Sequence, residues 1–348
     1  MKPLFYSDYL EGAHPAILDE LCRTNFEQTP GYGEDTHCTA AAELIRRACS
    51  RPDADVHFLV GGTQTNATVI NSTLKPYQGV LCADSGHIAV HETGAIEHGG
   101  HKVLALPASD GKISADSIRE AIEGHRNDSN HEHMVMPGLV YISFPTEFGT
   151  IYSKDELEGI RSVCTSASVP LFIDGARLGY GLSCGECGLG LADIAQLADI
   201  FYIGGTKQGA LFGEAVVICN PALKQDFRYN IKQNGGMLAK GRLLGIQFEV
   251  LFRDGLYFEI ARKANQQAAR IREAARKLGI PLFGSSPTNQ VFLVLPDAVL
   301  PTLEQAIGFE FWQRYDPCHS VIRVCTSWAT EDGAVDILLE ALAKLASQ

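Results

Sequence analysis

The stretch Ile200-Phe201-Tyr202-Ile203-Gly204-Gly205-Thr206-Lys207-Gln208-Gly209 decides the fold and points to the chemistry. Four apolar, β-favouring residues run without interruption, the pattern of a strand buried on both faces of a sheet. Glycines and a threonine break that strand, and a lysine follows at its carboxyl end. A lysine against an apolar strand end is partly desolvated, which lowers its pKa and frees the neutral amine as a nucleophile. The leading use of such an amine is a Schiff base to a carbonyl group. An ordinary solvated lysine after a strand is the competing reading.

The same alternation continues on either side. Apolar runs at 56–60, 80–83, 102–106, 139–143, 171–174 and 211–219 predict further strands. Helical spacing predicts helices at 14–28, 36–50, 64–75, 89–97, 114–124, 154–167 and near 190–197. Strands alternating with helices, and apolar on both faces, predict a mostly parallel α/β sheet covered on both sides. A long helical region at 236–278 breaks near Asp254-Gly255. Strands at 291–295 and 322–325 and a helix at 331–346 then predict a small C-terminal α+β domain. The division falls into a large domain, 1–245, with an N-terminal arm, 1–13, and a small domain, 246–348. The polar segment 123–137 reads as a long loop.

Composition excludes several classes. The chain has 348 residues, a net charge of -12 and 45% hydrophobic residues. That balance fits a water-soluble enzyme and argues against nucleic acid and anionic membranes as partners. No apolar run is long enough to span a bilayer. The start lacks the apolar stretch of a secretory signal, and the ten cysteines are scattered, several inside apolar segments. A cytoplasmic enzyme with reduced thiols is expected.

Three more strand ends carry chemistry. Gly61-Gly62-Thr63-Gln64-Thr65-Asn66 joins a strand to a helix, which aims backbone N–H groups and a hydroxyl at a phosphate. It is neither a P-loop nor a dinucleotide fingerprint. Asp174-Gly175-Ala176-Arg177 ends another strand. Its carboxylate is placed to hold a pyridine nitrogen protonated, and its guanidinium to fork onto a carboxylate or phenolate. Asp84-Ser85-Gly86-His87 sets an imidazole on the same edge, fit to stack on a planar ring or to shuttle a proton. Taken singly, a plain turn, a buried Asp–Arg pair and a loop histidine explain each. Together with Lys207 they make up the parts of a pyridoxal phosphate site.

At this point the chain resembles the low-specificity L-threonine aldolases, in the fold-type-I superfamily of pyridoxal phosphate enzymes with the beta-eliminating lyases. The resemblance runs from Tyr6-Ser7-Asp8 to Val324-Cys325-Thr326-Ser327-Trp328. It rests on Gly62-Thr63-Gln64-Thr65-Asn66, on Gly86-His87-Ile88 with Glu92-Thr93-Gly94-Ala95, on Asp174-Gly175-Ala176-Arg177-Leu178, and on Gly205-Thr206-Lys207. It implies a mostly parallel seven-stranded sheet with helices on both faces and pyridoxal 5'-phosphate as cofactor. The implied reaction is retro-aldol cleavage of L-threonine, L-allo-threonine and related β-hydroxy-α-amino acids to glycine and an aldehyde.

By the same resemblance Lys207 carries the cofactor as an internal aldimine, Asp174 pairs with its ring nitrogen, and His87 stacks on the ring. Gly62, Thr63 and Thr206 hold the phosphate. Arg177 borders the cofactor and, with Ser7 and Arg323, grips the substrate carboxylate. His133 matches a second active-site histidine. The base is His87, His133 or a water they hold. The implied assembly is a homotetramer, a dimer of dimers with shared sites, in which Tyr32 approaches the partner's site.

The chain also departs from the family. Ser143-Phe144-Pro145-Thr146-Glu147 lacks the asparagine that members usually carry before the threonine. Asn234-Gly235-Gly236-Met237-Leu238-Ala239-Lys240 lacks an arginine after Met237, so Arg228 or Lys240 is expected to supply a cation to the neighbouring subunit's phosphate. The nearest rival is β-elimination from an amino acid on the same scaffold. A metal or redox protein built on Cys184-Gly185-Glu186-Cys187 and histidines 125, 131 and 133 rests on one lone Cys-x-x-Cys, which reads as ordinary thiols, and no metal is expected. A catalytically silent binding module is disfavoured by intact Lys207, Asp174 and Arg177.

Overall fold

Alternate residues of each long strand turn to opposite sides of a pleat, so a strand apolar at every position needs cover on both. The computed structural model, which describes residues 2–346, provides it. Seven strands form the main sheet: β1 (Asp55–Leu59), β2 (Gln78–Ala83), β3 (Lys102–Leu106), β4 (Met136–Ser143), β5 (Leu171–Asp174), β6 (Ile200–Gly204) and β7 (Glu214–Ile218). Their spatial order is β1-β7-β6-β5-β4-β2-β3. Pairs β2–β3, β2–β4, β4–β5 and β5–β6 are parallel, and β7 is antiparallel to both β6 and β1. One face buries Val140, Ile142, Leu171, Ile173, Phe201 and Ile203 against helices such as Thr36–Ala48, Lys154–Ala167 and Arg242–Arg253. The other buries Leu139, Tyr141, Phe172 and Tyr202 against helices Gly62–Thr73 and Phe227–Gln233.

The small sheet holds β8 (Gln290–Pro296), β9 (Glu310–Arg314) and β10 (His319–Cys325), antiparallel, with β10 central. β9 was not expected from sequence. Helix Leu256–Lys277 links the two sheets. Its Tyr257 and Ile260 lie in the core of the large one, and its Ala268, Ile271 and Ala275 in the core of the small one. The expected break falls between helices Arg242–Arg253 and Leu256–Lys277, at Gly255, whose φ of 75° suits glycine. The expected loop 123–137 is partly helical, with helix Ala115–Asn127 and a 3-10 turn at His131–His133. The N-terminal arm crosses between sheets. Leu4 bridges to Gly308, and Phe5 is buried in the small-sheet core. Among the described residues no helix is long and apolar enough to cross a membrane.

Candidate active site

Open α/β sheets bind ligands beyond the carboxyl ends of their strands. Here β1, β2, β4, β5 and β6 end on one edge, and β7 begins there because it runs the other way. The residues just past these ends line one cavity of about 320 Å³, including Gly62, Thr63, His87, Glu147, Asp174, Arg177, Thr206, Lys207 and Glu214. The structure thus brings together seven of the residues expected from sequence and adds two glutamates that were not.

Lys207 is half-buried in the wall, with its ammonium 6.0 Å from the ring centre of Tyr9. Burial lowers its pKa and the Arg177 cation lowers it further, while Asp8, Asp174 and Glu214 oppose them. Asp174, 4% exposed, is held by four donors. The Tyr141 hydroxyl (2.6 Å) and the Asn66 amide (3.1 Å) donate to Oδ2, and the Tyr202 hydroxyl (2.5 Å) and Ala176 N–H (2.9 Å) to Oδ1. An incoming N–H must share these oxygens with the four donors or displace one of them. Burial pushes both tyrosines well above their ordinary range, so they remain donors.

The His87 ring lies half-buried, its Nδ1 2.8 Å from Glu92 Oε1. Asn66 Nδ2 also donates to that oxygen, at 2.7 Å. One chain of hydrogen bonds therefore runs from His87 through Glu92 and Asn66 to Asp174. Gly61 caps helix Gly62–Thr73, whose positive N-terminal end opens into the cavity beside Thr63. Thr206 is already engaged: its hydroxyl donates to Glu214 Oε1 and accepts from Gly213 N–H, both at 3.0 Å.

Arg177 grips Asp8 with Nε and Nη2, at 2.7 and 2.9 Å. Burial raises the Asp8 pKa, but Arg177 and Lys207 outweigh it and hold the carboxyl at about 2. Arg323 lies outside the cavity lining. It donates to Gln290 (3.1 Å), to the Tyr6 carbonyl (3.0 Å) and to Glu310 (3.0 Å). Ser7, buried, sits between Tyr6 and Asp8, so the two arginines hold the arm on either side of it. His133 is exposed and precedes β4, whereas the cavity lies beyond that strand's far end, roughly 25 Å away for eight residues of strand. Tyr32 and Arg228 line a different cavity, of about 190 Å³, with Met237 and Leu238. There Arg228 donates to the Tyr32 carbonyl and to Glu34, and Lys240 is exposed nearby in sequence. Cys184 and Cys187 are buried thiols that form no metal-ligand group with histidines among the described residues.

Sequence reading missed Asp8, Asn66, Glu92, Tyr141, Glu147, Tyr202 and Glu214 as parts of the site. The usable signal was a polar group set into an apolar run, as with Tyr141, Tyr202 and Glu214. The donor set fits pyridoxal phosphate: an amine of lowered pKa, a donor-ringed carboxylate and a helix N-terminus share one small cavity.

The comparisons with known proteins agree. The family model described as beta-eliminating lyase matches residues 5–298. A low specificity L-threonine aldolase from a Pseudomonas species is 32% identical over 95% of this chain and 94% of its own. A solved structure of Leishmania major threonine aldolase is 46% identical, covers 99% of both chains, and superposes with a TM-score of 0.96. Aspartate aminotransferase from Thermus thermophilus shares the fold at 14% identity, with a TM-score of 0.72 over 99% of this chain.

Proposed function

The chain belongs to the beta-eliminating lyase family, and from that premise we propose that it is a pyridoxal phosphate-dependent threonine aldolase. It cleaves L-threonine, L-allo-threonine and related β-hydroxy-α-amino acids to glycine and an aldehyde. The observation that carries the reading is the convergence of Lys207, Asp174, His87 and the Gly62–Thr63 cradle on one cavity. Nothing in that cavity favours β-elimination over carbon–carbon cleavage.

Each residue has a distinct task. Lys207 would hold the cofactor covalently through its amine, whose pKa burial and the Arg177 cation lower in favour of the neutral nucleophile. Asp174 would pair with the ring nitrogen and keep it protonated. His87, steadied by Glu92, would stack on the ring. Gly62 and Thr63 receive the phosphate at the helix N-terminus, with Thr206 fixed beside them by Glu214. When bound, the cofactor supplies the electron sink that makes the bond at Cα breakable. Arg177, which keeps Nη1 beyond its grip on Asp8, works with Ser7 and Arg323 on the substrate carboxylate. Fixing that carboxylate would orient the substrate so that the Cα–Cβ bond is the one presented for cleavage.

The finer assignments are also proposals. Ten free cysteines, eight of them buried, suit the reducing cytoplasm. Tyr32, Arg228 and Lys240 are assigned to a contact with a neighbouring subunit in a homotetramer. Exposed Tyr32, with Lys232 5.1 Å over its ring, supports that face as a docking patch.

Incubation with L-threonine should yield glycine and acetaldehyde in equal amounts; 2-oxobutanoate and ammonia instead would establish the β-elimination alternative. Borohydride reduction should fix the cofactor to the peptide containing Lys207, and Lys207→Ala should abolish turnover. A Lys207→Ala protein with full turnover would refute the assignment.

A further inference from the structure

Cleavage needs a base for the β-hydroxyl proton, and neither histidine expected from sequence is well placed for it. His133 is exposed at the wrong end of β4. His87 has Nδ1 committed to Glu92 and serves as the stacking ring. Resting on the aldolase reading, we infer that Glu147 is the catalytic base that takes the β-hydroxyl proton of the substrate.

Glu147 follows the end of β4, is 8% exposed, and lines the cavity with Ser143, His87, Arg177 and Lys207. One carboxyl oxygen is anchored twice: Oε1 accepts from the Ser143 hydroxyl at 2.6 Å and from the His87 backbone N–H at 2.9 Å. The other, Oε2, is enclosed and has no hydrogen-bond partner among the described residues. An unpaired buried acceptor is costly, and here it belongs to a carboxyl in the cavity lining. A base needs an oxygen without another partner that can come within hydrogen-bond reach of the proton it takes, and a carboxyl held at Oε1 leaves Oε2 for that task.

The surroundings set its basicity. His87 faces it from the segment after β2, Cys82 from β2, Tyr141 from β4, Tyr152 from the loop beyond, and Asp174 from β5. Burial raises its pKa towards the working range of a base, and the Ser143 hydrogen bond pulls it back in part. Among the described residues Asp35, Glu92 and Glu214 also keep an unused carboxyl oxygen, but Asp35 and Glu92 do not line the cavity, and Glu214 lies at its cradle end, bonded to Thr206.

The step balances. The β-O–H bond breaks and its proton passes to Glu147 Oε2. The freed oxygen pair forms the second bond of the aldehyde carbonyl. The Cα–Cβ bond breaks with its pair left on Cα, a solvent proton added there completes glycine, and Glu147 returns its own proton to solvent.

Glu147→Gln keeps an acceptor for Ser143 and His87 but takes up no proton. The test compares it with wild type in three ways: threonine cleavage, glycine α-proton exchange with deuterated water, and cofactor absorbance with its dissociation constant. We expect cleavage to fall by about 10²–10⁴-fold and the acidic limb of the kcat/KM profile to disappear. Exchange and cofactor binding, which need no β-hydroxyl base, should persist. Formate or acetate added to Glu147→Ala should restore part of the cleavage, which covers the case of a poorly folded glutamine variant. Undiminished cleavage in Glu147→Gln would overturn the proposal, and so would parallel loss of cleavage, exchange and cofactor. Wild-type protein that exchanges glycine protons yet releases no aldehyde would instead sink the aldolase reading, and the wild-type arm alone reveals that.

Discussion

Glu214 opens β7 opposite Gly204, the last residue of the strand that leads to Lys207. Burial lifts its carboxyl to about 8 despite the pull of Lys207. Unfolded, the same group ionises near its ordinary value of 4.5. Between these values the folded state binds more protons, so the stabilisation is whole below 4.5 and is lost as pH rises through about 8. Glu214→Gln should flatten the decline of the urea midpoint across that window, and an unaltered slope would place its source elsewhere. Asp8 has the opposite sign. Its folded pKa of about 2 lies below the unfolded 3.8, so its contribution is present above 3.8 and fades as pH falls towards 2. At this scale the residues legible in the sequence are those set directly at or just past a strand end: Lys207, Asp174 and His87. Glu214 and Glu92 were hidden, because their roles depend on antiparallel register and on a side chain reaching across the sheet edge, and a single strand's spacing encodes neither.

Between β5 and β6 the chain is packed backbone against backbone, and this fixes where Asp174 and Lys207 emerge. A Cβ on Gly175 would stand 1.9 Å from the Tyr202 carbonyl oxygen, and one on Gly204 would stand 2.3 Å from that of Ala176. Neither carbonyl can move without parting the strands. Gly175→Ala should therefore destabilise by about 1–3 kcal/mol or more by chemical denaturation and weaken cofactor retention. Gly12→Ala, with nothing within 4 Å of the new carbon, is the control. The central strands were readable because burial on both faces leaves uninterrupted apolar runs. Element ends and edges were less so. The helix expected at 14–28 spans only Pro15–Arg23, and that at 89–97 is two short turns separated at Gly94, where φ is 72°. β9 escaped notice because Glu310-Phe311-Trp312-Gln313-Arg314 is a half-exposed edge strand with no apolar run.

Across the whole molecule, residues 2–8 fasten the small sheet to the catalytic edge of the large one. The small sheet holds them through Phe5 N–H to the Gly308 carbonyl (2.8 Å), Cys325 N–H to the Phe5 carbonyl (3.0 Å) and Asn289 to Asp8 (2.9 Å). The large domain holds them by the Arg177 fork on that same Asp8. The arm is thus a tie between the large sheet and the small one. Asp8→Asn then tests the tie, since the amide keeps the shape and leaves the buried guanidinium without its counter-charge. Breaking such a pair costs about 3–5 kcal/mol, and the loss should appear first where the arm is attached. Amide exchange should quicken in β8 and β10 while the central strands β4 to β6 stay protected. The same variant should change the KM for threonine more than kcat, because Arg177 loses the carboxylate that orients it. Uniform loss of protection across both sheets would show that the pair supports the molecule as a single unit, and would remove the arm's role as a joint between two.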